Sequence, residues 1–246
     1  MNKVVVTSAH AKGGIGKTEI SCLAIDALIK QYGQSAVKVY DNDSETPKLS
    51  KFKSINPQHI QLYKLDGNGH VKAESLHIDN MAPVADELEN GNAQAVFIDN
   101  GSPSFQPFLS YFQANTVDMF KALGVEFVVL TIVTADKVTH NAPIELLNSY
   151  GTSVKYILIE NEHFGEINYD ASTFDDAGVD YAIFKMERLT NAQYDTLILA
   201  REKGMLISEA VMSKDFGLVH KSRLNTIKAA FEGPFLDILE GFGYVS

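Results

Sequence analysis

A glycine-rich segment between an apolar run and a long amphipathic stretch constrains this chain more than any other feature. The segment, residues 11–18, reads AKGGIGKT and follows the β-branched run at residues 3–7. Glycines let a backbone turn its amide groups toward a polyphosphate, and the start of a helix adds partial positive charge. At this spacing Lys17 would reach the β- and γ-phosphate oxygens, and Thr18 would ligate Mg²⁺. The segment therefore predicts a strand, a phosphate-binding loop and a helix in that order.

The rest of the chain alternates short β-branched runs with longer amphipathic stretches. The pattern predicts strands at residues 3–7, 36–40, 60–65, 95–99, 125–133, 154–159 and 181–184. It predicts helices at residues 17–32, 72–90, 106–122, 137–149, 192–203 and 221–239, the last interrupted by Gly233 and Pro234. Continuously apolar runs such as EFVVLTIV are typical of strands covered on both faces. We predict the α/β class: a single three-layer P-loop NTPase domain over residues 1–246, with a mostly parallel sheet flanked by helices on both faces.

The composition excludes collagen-like, coiled-coil and disordered chains. The chain is 45% hydrophobic and 21% charged, which is typical of a soluble globular protein. Its single cysteine, Cys22, excludes an intrachain disulfide and a four-cysteine metal site, and is more typical of a small buried hydrophobe. Neither a membrane-spanning run nor a signal-peptide core is present, so we expect a cytoplasmic protein. The formal charge of −10 argues against wholesale attraction to nucleic acid or anionic lipid.

The run KGGIGKT resembles the deviant Walker A motif of the ParA/MinD superfamily of ATPases. Ala11 stands where the general phosphate-loop pattern has glycine, and a second lysine, Lys12, is added. In that superfamily the added lysine crosses to the phosphates of a partner subunit, so the resemblance implies a homodimer assembled by ATP. Glu19 stands where the family often has Ser or Thr. The nucleotide-binding residues that the resemblance implies in this segment are Gly13, Gly14, Ile15, Gly16, Lys17, Thr18 and Glu19. The alternative is a strand-to-helix turn that binds no nucleotide.

Aspartates follow the next two apolar runs. The first group, Asp41-Asn42-Asp43, resembles the family segment whose second aspartate orients the attacking water. That resemblance gives Asp43 a catalytic role and a place at the metal. Chemically, a carboxylate near the γ-phosphate can polarise water while lysines and a metal neutralise developing charge. The alternative is that both aspartates only terminate a strand.

The second group, Asp99-Asn100-Gly101, resembles the family's switch II. The resemblance implies that Asp99 holds Mg²⁺ through water, together with Thr18, and that Gly101 senses the γ-phosphate. The catalytic set would then be Lys12, Lys17 and Asp43. An aspartate that merely ends a core strand is again the alternative.

Adenine is favoured over guanine as the base. The guanine-specific pattern N-K-x-D occurs nowhere in the chain. The run KYILIE leads into Asn161, which resembles the asparagine that ParA-like proteins place against adenine; the alternative is a strand cap. The stretch ILIENEHFG and the chain length also resemble the StbB-type stabilisation and TraL-type transfer ATPases of conjugative plasmids.

Four further features of the sequence concern binding surfaces and partners. Four basic residues, Lys214, Lys221, Arg223 and Lys228, would supply a nonspecific DNA contact or form a solvated helix face. The acidic C-terminus lacks the basic amphipathic helix with which MinD-type members bind membrane. His10 would contact phosphate or the opposite subunit, or be structural. An aromatic cluster would be core packing or a nucleotide-gated partner surface; it comprises Phe105, Phe108, Tyr111 and Phe112.

Together these features predict a weak, partner-stimulated ATPase that dimerises on ATP and acts as a switch in plasmid maintenance, partition or conjugative transfer. ATP and Mg²⁺ are the expected cofactors, and a DNA-binding or transfer-machinery protein is the expected partner. One alternative is a metabolic ATP-dependent ligase or kinase of the dethiobiotin-synthetase-like type. Another is a nonhydrolysing adaptor that uses nucleotide only for structure.

Overall fold

Seven parallel strands form one sheet in the computed structural model, which describes residues 3–43, 47–62 and 78–244. The spatial order is β3-β2-β4-β1-β5-β6-β7, and every neighbouring pair is parallel. The predicted α/β class with a parallel sheet is confirmed. The strands are β1 (Lys3–Ser8), β2 (Val37–Asn42), β3 (Gln58–His59), β4 (Ala95–Asn100), β5 (Val125–Val133), β6 (Lys155–Asn161) and β7 (Tyr181–Met186).

Nine α-helices lie within the described residues and cover both faces of the sheet. None of them is both long enough and apolar enough to cross a membrane. The helices are α1 (Lys17–Tyr32), α2 (Ala82–Asn90), α3 (Phe105–Tyr111), α4 (Ala114–Ala122), α5 (Asn141–Tyr150), α6 (Ser172–Ala177), α7 (Asn191–Glu202), α8 (Ile207–Met212) and α9 (Leu218–Gly241).

Alternation along the strands divides the core into two layers. In β1, Val4 and Val6 pack in the cluster with α1, α8 and α9, while Val5 packs in the cluster with α2, α3 and α5. Successive side chains of a strand point to opposite faces, so a strand that is apolar throughout must be covered on both sides. The continuous apolar runs of the sequence have this cause.

The strand register determines where polar residues meet. Asp99 in β4 lies opposite Ser8 in β1 and opposite Asp41 in β2. Because the strands are parallel, their carboxyl ends share one edge of the sheet, and ligands of such sheets bind outside that edge. The loops that follow β1, β2 and β4 therefore converge.

Several predicted boundaries are wrong. The strand predicted at residues 60–65 is instead the two-residue β3, and residues 63–65 lie outside the described residues. Of the helix predicted at 72–90, residues 72–77 lie outside the described residues; a 3₁₀ turn at Ile78–Met81 leads into α2, which has proline in its first turn. The helix predicted at 137–149 starts as the 3₁₀ turn Lys137–His140 and continues as α5.

Two helix predictions are wrong: one predicted helix is divided in two, and one predicted interruption is absent. The predicted helix at 106–122 is two helices, since Phe112 (ψ 70°) leaves the helical conformation and Gln113 (ψ 159°) is extended. The predicted interruption near Gly233 is absent, because α9 runs through Pro234. Phe231 and Phe235 on either side of that proline are buried and hold the helix against the core. The short helices α6 and α8 were not predicted.

Candidate nucleotide-binding site

At two positions the loop between β1 and α1 adopts a conformation that strongly favours glycine. Gly14 and Gly16 have φ of 74° and 92°, in the left-handed region. A Cβ on Gly16 would also lie 2.8 Å from the Asn161 side-chain nitrogen, so a larger residue there would strain the backbone and clash. Ile15 between them is buried and anchors the loop in the core. The backbone conformation and the local packing thus agree with the glycine pattern.

Most of the predicted site residues surround a single cavity of about 200 Å³ at the carboxyl edge of the sheet. Lys12 and Ile15 are the two predicted residues that do not line it. The predicted residues that do are Gly13, Gly14, Gly16, Lys17, Thr18, Glu19, Asp43, Asp99, Gly101 and Asn161.

Lys17 points from the start of α1 toward the turn after β4. Its Nζ donates to the Ser102 hydroxyl at 2.8 Å and to the main-chain carbonyl of Lys12. Burial lowers the pKa of Lys17 to about 8, against the opposing effect of the Asp99 carboxylate. A partly desolvated ammonium held by two neutral oxygens gains from a charged oxygen. Lys17 is therefore suited to bind an anion.

Asp99 is held by two serines that the sequence analysis did not select. Its Oδ1 accepts hydrogen bonds from Ser8 Oγ at 2.6 Å and Ser21 Oγ at 2.7 Å. Burial raises the pKa of Asp99 even though these bonds favour its charged form. Thr18, the other predicted metal ligand, is also buried and lines the same cavity. A carboxylate and a hydroxyl at one cavity wall fit a hard cation such as Mg²⁺.

Asp43 and Gly101 are packed against each other. A Cβ on Gly101 would lie 2.6 Å from Asp43 Cγ and 2.9 Å from Asp43 Cα, so only glycine permits this approach. Asp41 fixes the turn that carries Asp43: its carboxylate accepts from the backbone N–H of Asp43 at 3.1 Å and of Leu49 at 2.9 Å. Burial, together with the nearby Asp99 charge, raises the pKa of Asp41 to about 7. Asp41 shapes the turn, while Asp43 faces the cavity.

Asn161 is bonded to the phosphate loop. Its Nδ2 donates to the Ile15 carbonyl at 3.0 Å, and its Oδ1 accepts from the His163 backbone N–H at 3.2 Å. These bonds match the strand-cap alternative and tie β6 to the loop. The predicted contact of Asn161 with adenine stays a prediction.

Lys12 points away from the cavity and pairs with Asp136, in the connection between β5 and α5. His10 joins the same two segments from inside. Its Nδ1 accepts from the backbone N–H of Lys12 at 2.9 Å, so Nε2 carries the ring proton and donates to the Thr139 carbonyl at 3.1 Å. Burial lowers the pKa of His10 to about 4. His10 is structural here, which was the second of its two interpretations.

The wall of the cavity beyond Asn161 comes from segments that sequence reasoning missed. Arg201 in α7 forms an ion pair with Glu19, and Tyr194 in α7 stacks on His163 with ring centroids 4.3 Å apart and planes 17° apart. Phe164 beside them is 44% exposed. No local pattern marks Arg201 or Tyr194, because each acts through a partner far away in the chain.

The aromatic cluster and the group of basic residues differ in exposure. Phe105, Phe108 and Phe112 are each at most 1% exposed, so they are core residues and the partner-surface interpretation is wrong for them. Lys228 donates to Ser208 and pairs with Glu232 at 3.3 Å, so its charge is already paired, whereas Lys214 is exposed.

Comparison with known proteins gives structural neighbours but no family assignment. No family model matches the chain, and no curated protein matches it. One similar solved structure is the cell division protein MinD of Aquifex aeolicus, with 18% identity, a TM-score of 0.49, and coverage of 93% of this chain and 95% of that chain. Another is a ParA family ATPase from Chlorobium tepidum TLS, with 10% identity, a TM-score of 0.48, and coverage of 92% and 98%. What this chain does is therefore inferred from its own residues.

Proposed function

We propose that this chain is a Mg²⁺-dependent, ATP-binding and slowly ATP-hydrolysing switch of the ParA/MinD type that dimerises on ATP. One observation carries the proposal. Lys17 and Thr18, at the start of α1, line one cavity together with Asp99 and the Asp43–Gly101 pair. These are the groups that phosphoryl transfer from a nucleotide needs: cations for the phosphates, oxygen ligands for a metal and a carboxylate for water.

Binding would begin with the loop backbone. Its amides and the amino end of α1 attract the phosphates. Lys17 would exchange the neutral Ser102 oxygen for a charged phosphate oxygen, which is the stronger hydrogen-bond acceptor. The stacked pair of His163 and Tyr194, with exposed Phe164, offers an aromatic surface for a base. We assign the base as adenine on the resemblance described above.

Thr18 and Asp99 would hold Mg²⁺, Thr18 directly and Asp99 through water. Ser8 and Ser21 keep the Asp99 carboxylate oriented by bonding one of its oxygens. When bound, the ion supplies charge neutralisation between the phosphates. Both side chains offer only oxygen, which is the donor type that Mg²⁺ prefers.

Asp43 would position the attacking water at the γ-phosphate. Its backbone is fixed by Asp41, and its close approach depends on the missing side chain of Gly101. Gly101 would in turn report the presence of the γ-phosphate, since movement of either residue displaces the other. Turnover would be slow until a partner completes the site.

ATP would also assemble the dimer. For Lys12 to reach the phosphates of a partner subunit, its ammonium must leave Asp136. The role we propose is plasmid maintenance, partition or conjugative transfer in the cytoplasm, with a DNA-binding or transfer-machinery protein as partner, as in the StbB-type and TraL-type ATPases. The nonspecific DNA contact through Lys214, Lys221 and Arg223 stays a prediction.

The test is solution mass by light scattering with Mg²⁺-ATP, Mg²⁺-ADP and no nucleotide. The wild type should dimerise only with ATP, and Asp43→Ala should hold the dimer because it binds but does not hydrolyse. Lys17→Ala should bind no nucleotide, whereas Lys38→Ala, an exposed lysine in β2, should behave as wild type. A mass indifferent to nucleotide would remove Lys12 from its role. Turnover that then required a small metabolite would favour the ligase or kinase alternative, and bound ATP without turnover the adaptor.

A further inference from the structure

Three large apolar side chains protrude beside the turn between α8 and α9. Met212 ends α8, and Leu218 and Val219 begin α9; they are 82%, 86% and 63% exposed. We call these three residues the apolar tip. Side chains of this type normally lose most of their exposure on folding. Three of them together, this far out of the surface, indicate contact with another apolar phase.

The turn that carries the apolar tip is held in place from below. Phe216, within the turn, is only 2% exposed, and its ring lies nearly perpendicular to that of His220, with the ring centroids 6.2 Å apart. Asp215 pairs with Lys203 at 3.1 Å, which ties the turn to the end of α7. The apolar tip is thus exposed on an anchored turn, and its exposure does not arise from a loose end of the chain.

The charge around the apolar tip is opposite to that of the protein. Residues 203–223 contain four Lys or Arg and two Asp or Glu, in a chain with a net charge of −10. Asp215 is neutralised by its ion pair with Lys203, which leaves three cations against Glu209, whose carboxylate accepts from the Leu206 backbone N–H at 2.8 Å. The positive charge of the remaining basic residues therefore dominates this region.

The basic residues lie next to the apolar ones. Residues three and four apart share one face of a helix, so Lys221 is beside Leu218 and Arg223 beside Val219. Lys214 is exposed in the turn, two residues after Met212. Aliphatic side chains flanked by cations would bind a partner that offers an apolar layer with anionic groups just above it.

We propose that the apolar tip docks on an anionic lipid bilayer. The three aliphatic side chains enter the boundary between headgroups and acyl chains, while Lys214, Lys221 and Arg223 contact lipid anions. Duplex DNA satisfies only the cations, because its phosphates gain nothing from exposed aliphatic groups. The docking is separate from the nucleotide site and does not depend on the proposed ATPase activity.

The test is co-sedimentation of the nucleotide-free chain with vesicles. One set contains phosphatidylcholine alone, and the other contains equal parts of phosphatidylcholine and phosphatidylserine. We expect binding to the anionic set only. The double variant Met212→Ser/Leu218→Ser should lose on the order of tenfold or more in partitioning, because the apolar insertion is removed. The variant Lys214→Gln/Lys221→Gln should lose roughly fivefold for each cation removed.

A matched control lies at the carboxyl end of α4. Met119 and Leu123 are 71% and 60% exposed and sit beside Lys121, so Met119→Ser/Leu123→Ser should sediment as wild type. The substituted side chains are exposed, and an unchanged unfolding temperature will show that each variant is folded.

Three results would overturn the proposal. They are no wild-type binding to anionic vesicles, equal binding to both vesicle sets, and binding that the Met212→Ser/Leu218→Ser variant retains. Retention of duplex DNA without vesicle binding would assign this surface to nucleic acid instead. None of these results bears on ATP binding, which is measured separately.

Discussion

Acidification should weaken the fold through His10, because that ring is built into the protein as a neutral group. Its Nδ1 accepts a hydrogen bond from the Lys12 backbone, and a second proton on the ring would break that bond. Burial lowers the pKa of His10 in the folded chain to about 4, from an ordinary value of 6.5. His10 is therefore protonated below about pH 6.5 in the unfolded chain but only below about pH 4 in the folded chain. The contribution is fully present above pH 6.5 and is lost as the pH falls through that window.

The size of the effect follows from the two pKa values. Between pH 7 and pH 5 the free energy of unfolding should fall by about 2 kcal/mol through His10. The variant His10→Gln cannot take up this proton. It should be less stable at pH 7, by about 1–3 kcal/mol, because one buried hydrogen-bond partner is lost. Its stability should then depend less on pH than that of the wild type, by about the 2 kcal/mol that His10 contributes.

The assay is urea unfolding followed by circular dichroism at pH 7 and pH 5, without nucleotide. Other groups also titrate in this range, so the decisive quantity is the difference between wild type and variant at the two pH values. His59→Gln changes an exposed histidine in β3 and should lose the same stability on acidification as wild type. If wild type and His10→Gln lose equal stability between pH 7 and pH 5, the reasoning about His10 is refuted.

Three further predictions concern residues around the site and in the core. Gly101→Ala should slow ATP hydrolysis at least tenfold with ATP binding retained, because its Cβ would meet Asp43 Cγ at 2.6 Å. A single-turnover assay measures hydrolysis and a filter-binding assay measures binding. Normal hydrolysis would contradict the role assigned to the Asp43–Gly101 contact. Arg201→Ala and Glu19→Gln should show a coupling of roughly 1 kcal/mol in a double-mutant cycle of urea unfolding, and additive effects would mean that the ion pair adds no stability. Phe112→Ala should destabilise the fold by about 3–5 kcal/mol, measured by the same unfolding assay, whereas a change below 1 kcal/mol would show that the ring is not a core contact.

Much of the fold near the phosphate loop could be predicted because the signals there are local. The predicted bounds of α1 and β5 match the structure, since a glycine loop begins the first and a continuous apolar run defines the second. The aspartates at the ends of β2 and β4 also lie where their sequence positions indicated. In each case one short stretch of chain contains the whole cause.

The failures arise where the cause lies elsewhere in the chain. Phe112 ends α3 because its ring enters a cluster with Phe108 and Phe127, which no helical periodicity reveals. Pro234 is tolerated in α9 because its neighbours Phe231 and Phe235 pack in the core. The packing of those rings outweighs a local helix-breaking preference.

Asp99 and Glu19 in the candidate site likewise depend on partners that lie far away in the sequence. The sequence identified Asp99 itself, but its two serine donors come from β1 and α1 and are brought together only by the strand register. Glu19 could be noted as unusual, yet its partner Arg201 lies in α7. Sequence patterns identify the residues that contact a ligand more readily than the residues that hold them.

The strand order has a consequence for how the chain folds. β1 lies between β4 and β5, so Val4 pairs with Ala95 and Lys3 with Val125. β1 must therefore wait until the chain has been synthesised as far as Ala95 before it finds either neighbour. Such distant pairings are slow to form, and until they form the apolar faces of β1 remain open to wrong contacts. The phosphate loop that follows β1 can take its shape only late, so nucleotide binding during refolding would report the completion of the central sheet.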